Sequence, residues 1–129
     1  MTLRAIKTTN APAAVASYSQ AIDTGPLVFL AGQIGLDPQS GEIVPGGIEA
    51  EAERALRNLM AVLDAAGLSI NDVVKTTCFL ADINDFAAFN AVYGKFVGDP
   101  PPARSTFAVA ALPKGARVEI EAVAARNAD

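Results

Sequence analysis

The chain has 129 residues, 51% of them hydrophobic, which predicts one globular domain spanning 1–129 with a full core. It has no histidine and one cysteine, Cys78, which excludes a zinc site of the usual His/Cys kind, a Ser-His triad and a disulfide framework. A net charge of −4 offers no basic footprint for nucleic acid, and no stretch reaches the roughly eighteen apolar residues of a membrane span, so neither partner is expected.

The N-terminus lacks the charged and apolar blocks of a signal peptide, and the expected compartment is the cytoplasm. Thr2 to Thr8 alternates like a short edge strand and is broken by Asn10-Ala11-Pro12. Ala16 to Ile22 reads as a second strand ended by the Asp23-Thr24-Gly25-Pro26 turn, with Tyr18 as a half-buried strand aromatic. Leu27 to Ala31 predicts a central strand, joined to the previous one as a hairpin. Gly32, at its end, marks a bulge or a point where a ligand approaches the backbone, with simple relief of crowding as the alternative. Asp37 to Gly41 is a surface turn, and Gly46-Gly47 precedes a helix without forming a nucleotide loop.

From Ile48 to Ala66, apolar residues recur at helical spacing and Gly67 supplies the stop. Val73 to Leu80 predicts a strand with Val74, Thr76, Cys78 and Leu80 on one face, Cys78 being an inert small hydrophobe. Asp82 to Asp85 caps a second helix, whose stripe of Phe86, Phe89, Tyr93 and Phe96 buries it on the sheet. Asn90 lies at that helix's edge, either solvated or reaching a site.

Pro100 to Pro102 then deny three backbone donors, so an extended element begins afresh at Ala103 and Arg104. Arg104 and Thr106 project to one side of it, Ser105 and Phe107 to the other. A loop at Leu112-Pro113-Lys114-Gly115 leads to the last strand, Val118 to Ala125, where Val118, Ile120 and Ala122 alternate with Glu119 and Glu121. Paired as a hairpin, these two strands would turn the glutamates toward Arg104, either as an ordinary surface ion pair or as a site. Arg126 to Asp129 reads as a free tail.

The element order predicts an α+β fold, a mixed six-stranded sheet with both helices on one face. The opposite face is too poor in charge for water, and its expected fate is a subunit interface.

The run Pro102-Ala103-Arg104-Ser105, then Leu112, then Val118-Glu119-Ile120 resembles the signature of the RidA/YjgF family of reactive-intermediate deaminases, also known as endoribonuclease L-PSP. Weaker matches extend it over nearly the whole chain, among them Tyr18 with Gln20, Gly32-Gln33-Ile34, Val74-Lys75-Thr76-Thr77 and Phe86 with Asn90 and Tyr93. The resemblance implies a chorismate-mutase-like fold and a homotrimer with clefts between subunits. It further implies hydrolysis of enamine/imine intermediates of the 2-iminobutanoate/2-iminopropanoate type to 2-keto acids and ammonia, without metal or cofactor. Carried over, Arg104 clamps the substrate carboxylate, Glu119 orients water with Thr106 nearby, and Tyr18, Ala31, Gly32 and Asn90 line the cleft. Three residues depart from the family habit: Thr106 where cysteine is common, Ala31 where serine is common, and Ser17 where proline is usual. Slower or altered turnover is expected, and a cleft enlarged at Ala31. The competing readings are a trimeric, non-enzymatic binder of small carboxylate metabolites with a regulatory role, and a ribonuclease, which the acidic charge and missing histidines disfavour.

Overall fold

A computed structural model of the chain describes residues 2–127. Its strands are β1 (Arg4–Ile6), β2 (Ala21–Asp23), β3 (Leu27–Ile34), β4 (Val73–Leu80), β5 (Ala103–Ala108) and β6 (Val118–Ala125); its helices are α1 (Gly47–Ala65) and α2 (Phe86–Tyr93). They form one six-stranded sheet in the order β1-β2-β3-β6-β4-β5, antiparallel except for the parallel pair β4 and β5.

Period-two patterning decides which face is covered. Along β6, Val118, Ile120, Ala122 and Ala124 are buried beneath the helices, and the residues between them turn to the open face. Helix α1 lays Ala52, Ala55, Leu56, Leu59, Val62 and Leu63 on β3 and β6, an apolar stripe at helical spacing. Gly67 follows its C-terminus at φ +76°, a left-handed residue that satisfies the end of the helix at no steric cost. Helix α2 adds Phe89 and Tyr93 to the same core. Truncating the fully buried Phe89 to alanine would cost about 3–5 kcal/mol.

The structure departs from expectation at four places. The second strand begins at Ala21, because the preceding loop is tied down by a side chain instead of a ladder. Buried Gln20 accepts from the Thr8 amide at 2.7 Å and donates to the Thr8 and Pro12 carbonyls, which leaves Tyr18 exposed on a loop. In β4, an irregularity between Val73 and Lys75 turns Val73 inward with Thr76, Cys78 and Leu80, while Val74 is exposed. Strands β5 and β6 are not a hairpin, since β4 lies between them. Arg126 is no free tail: its amide donates to the Pro26 carbonyl and its guanidinium to Asp23 and the Ala66 carbonyl. Residues 128 and 129 of that predicted tail lie outside the described residues. No helix among the described residues is long and apolar enough to cross a membrane.

Candidate active site

The open face of the sheet holds a cavity of about 710 Å³, whose lining includes Tyr18, Ala31, Gly32, Ile34, Pro113 and Glu119. Its chemistry centres on Gly32. The register of β3 against β6 shifts between Leu30 and Gln33, and this bulge carries Ala31 and Gly32. The Glu119 carboxyl lies directly on Gly32: a Cβ there would stand 2.8 Å from Glu119 Cδ and 2.9 Å from its Cγ. Gly32 has an ordinary backbone conformation, so the requirement is space alone. Buried Asn58 of α1 braces the end of this strand by donating to the Ile34 carbonyl at 3.1 Å and the Leu36 carbonyl at 2.9 Å.

Glu119 has Ile34 and Phe79 as its ladder partners on either side. Partial burial raises its pKa from the ordinary glutamate value, and Glu121, on the same face, pushes in the same direction. A carboxylate so placed holds a proton more readily than one in water, as a base that orients or deprotonates water must.

Arg104 lies elsewhere. Thr76 of β4 is its ladder partner, and its side chain projects on the helix side of the sheet. There Nη1 donates to Asn90 Oδ1 at 2.8 Å, and the guanidinium carbon lies 4.7 Å from the Tyr93 ring centre and 5.5 Å from that of Phe86. Thr106 shares this side as expected, and its Oγ1 is buried with no hydrogen-bond partner among the described residues. Beside it Cys78 is fully buried, and desolvation pushes its thiol up to about 11, so it stays a neutral thiol.

The structure therefore brings the predicted residues together in two groups. Tyr18, Ala31, Gly32 and Glu119 share the open-face cavity, and Arg104, Thr106 and Asn90 share the β5–α2 edge. Within one chain the two groups do not meet. Phe86 and Tyr93 read from the sequence as a core stripe and as weak family matches with no role assigned, yet both carry the Arg104 side chain. Phe86, Asn90 and Tyr93 recur at intervals of four and three, which puts them on one helix face; that spacing was the available signal. Pro113 and Lys114, read as a plain loop, line the cavity mouth, with Lys114 left-handed at φ +57°. Among the described residues no three Cys, Asp or Glu side chains cluster closely enough to share a metal ion.

Fold and site define an α+β protein with two helices on one face of a mixed six-stranded sheet and a carboxylate-bearing cavity on the other. The family model described as Endoribonuclease L-PSP matches residues 8–126, and the chain belongs to that family, the RidA/YjgF proteins. It is 51% identical over 124 residues to the 2-iminobutanoate/2-iminopropanoate deaminase of Mus musculus, covering 96% of this chain and 92% of that one. The Homo sapiens deaminase of the same name is 50% identical over 121 residues, covering 94% and 88%. Among solved structures, Escherichia coli TdcF with bound serine superposes with a TM-score of 0.91 at 43% identity, covering 96% of this chain and 99% of that one. The YjgF gene product of E. coli gives a TM-score of 0.91 at 45% identity, covering 96% and 99%.

Proposed function

We propose that this chain is a 2-iminobutanoate/2-iminopropanoate-type deaminase that works in the cytoplasm as a homotrimer with its clefts between subunits. The observation that carries this reading is the Glu119 carboxyl seated on Gly32 in the open-face cavity, with Arg104 on the other side of the same sheet. A second copy is the simplest source of an arginine for that cavity. Exposed Leu27, Phe29 and Phe107 on the open face supply apolar area for it to cover. Deaminase relatives at about half identity over almost the full length support the reaction.

The substrate carboxylate is held by two parallel hydrogen bonds from Arg104, which leaves the C2=N carbon over the cavity floor. Glu119 takes a proton from a water whose oxygen adds to C2 and passes that proton to the imine nitrogen. The carbinolamine hydroxyl then gives up its remaining proton to Glu119, which delivers it to the amino nitrogen as the C–N bond breaks with its electron pair on nitrogen, releasing ammonia and the 2-keto acid. An enamine enters this sequence after tautomerising to its imine. Thr106 lies two residues from Arg104 on the same side of β5 and supports that end of the site, and Tyr18 and Ala31 bound the space for the substrate side chain.

The test couples a pyridoxal-phosphate dehydratase acting on serine or threonine to keto-acid formation, with semicarbazide trapping the imine. Wild type should outcompete the trap and Arg104→Ala should not; equal behaviour of the two would refute the assignment.

A further inference from the structure

An arginine on an edge strand has ladder support on one side only and several rotatable bonds, so its aim must come from side-chain contacts. Asn90 takes one of its five N–H groups, and the rest of the fork has no hydrogen-bond partner among the described residues. The Tyr93 ring lies under the guanidinium at 4.7 Å, and Tyr93 is itself held: its hydroxyl and Thr76 Oγ1 share a buried hydrogen bond of 2.7 Å. Thr76 is also the residue opposite Arg104 in the β4–β5 ladder. The same residue thus registers the Arg104 backbone and pins the ring that supports the Arg104 side chain, closing a loop of three contacts.

We propose that Tyr93, pinned by Thr76, is a positioning residue that holds the Arg104 guanidinium in its carboxylate-binding aim. This rests on the reading of Arg104 as the carboxylate clamp. Tyr93 itself touches no substrate; it is almost wholly buried, between the sheet and Phe89. A ring face beneath a guanidinium attracts it without using any N–H, so support and binding do not compete. Burial raises the pKa of the Tyr93 hydroxyl and keeps it protonated for Thr76.

The experiment titrates 2-ketobutyrate into the purified, assembled protein by calorimetry, which reads affinity and the number of competent sites separately. Tyr93→Leu should raise Kd about tenfold at unchanged stoichiometry, and Tyr93→Phe, which keeps the ring and loses the pin, should raise it about two- to threefold. A residue that only stabilises the fold would instead lower the stoichiometry and leave Kd alone, which overturns the proposal. If Arg104→Ala abolishes binding while Tyr93→Leu keeps wild-type Kd, the proposal fails and the clamp reading stands. If Arg104→Ala binds like wild type, the clamp reading fails and the proposal with it. Should Tyr93→Leu not fold, Thr76→Val removes the pin, with the long Cys78 contact to the same hydroxyl, and keeps the ring; about a two- to threefold rise in Kd, at the lower end of one lost neutral hydrogen bond, is expected. No change in either Thr76→Val or Tyr93→Phe would overturn the role of the pin.

Discussion

Arg104 and Glu119 stand on opposite faces of one sheet, with β4 between their strands. Backbone geometry imposes this: Glu119 is opposite Phe79, Arg104 is opposite Thr76, and residues an odd number apart on β4 point to opposite sides. Arg104 turns to Asn90 and Tyr93 while Glu119 turns to Gly32. The site proposed above therefore takes them from two copies of the chain.

The first prediction follows from that. Arg104→Ala and Glu119→Gln chains, each inactive alone, should regain activity when unfolded together and reassembled. In a ring where each cleft draws one residue from each neighbour, random mixing restores roughly a quarter of the clefts. A mixture as inactive as its components would show that one chain supplies both groups.

Gly32→Ala should leave the fold intact and silence the site. The three atoms nearest the new Cβ all belong to the Glu119 side chain, so Glu119 swings aside and the backbone stays. Turnover should fall about a hundredfold, as for a reacting group displaced by an ångström, with little change in melting temperature. Near-normal turnover would remove Glu119 from its proposed role.

The third prediction concerns pH. Glu119 must be ionised to take a proton from water, and its raised pKa puts the acid limb of the rate profile above that of an ordinary carboxylate. Glu121 contributes to that rise, so Glu121→Gln should move the limb to lower pH and leave the plateau rate little changed. A limb that stays in place in a pH–rate series would mean that another group controls it.

Asp23 joins parts of the chain far apart in sequence: it accepts from the Gly25 amide and pairs with Arg4 and Arg126. These partners, the Gly25 amide first, lower its pKa from 3.8 to about 2. A carboxyl depressed by folding adds stability that is complete above its unfolded pKa and fades as pH falls through the folded one. Thermal melting of wild type should therefore weaken between about pH 4 and pH 2. Asp23→Asn should melt lower at neutral pH and show a flatter dependence in that window; parallel curves would rule the contribution out.

The alternation of Val118, Ile120 and Ala122 with Glu119 and Glu121 was enough to divide β6 into a core face and an open face, because strand side chains alternate whatever the neighbours are. The apolar stripe of α1 and its Gly67 stop were legible for the same local reason. Arg104 and Glu119 likewise stood out through the motif that carries them, and Gly32 as a glycine at the end of a central strand. Long-range pairing was not legible. Nothing in the spacing of β5 and β6 says that β4 inserts between them, and that insertion separates Arg104 from Glu119. The bulge that turns Val74 outward, the Gln20 side chain that replaces a ladder beside Tyr18, and the ion pair that ties down Arg126 are also contacts between distant segments. Local patterning determined which residues face the core and which carry chemistry. Only the tertiary structure decided which of those groups share a face, because strand order is set by the packing of the whole sheet.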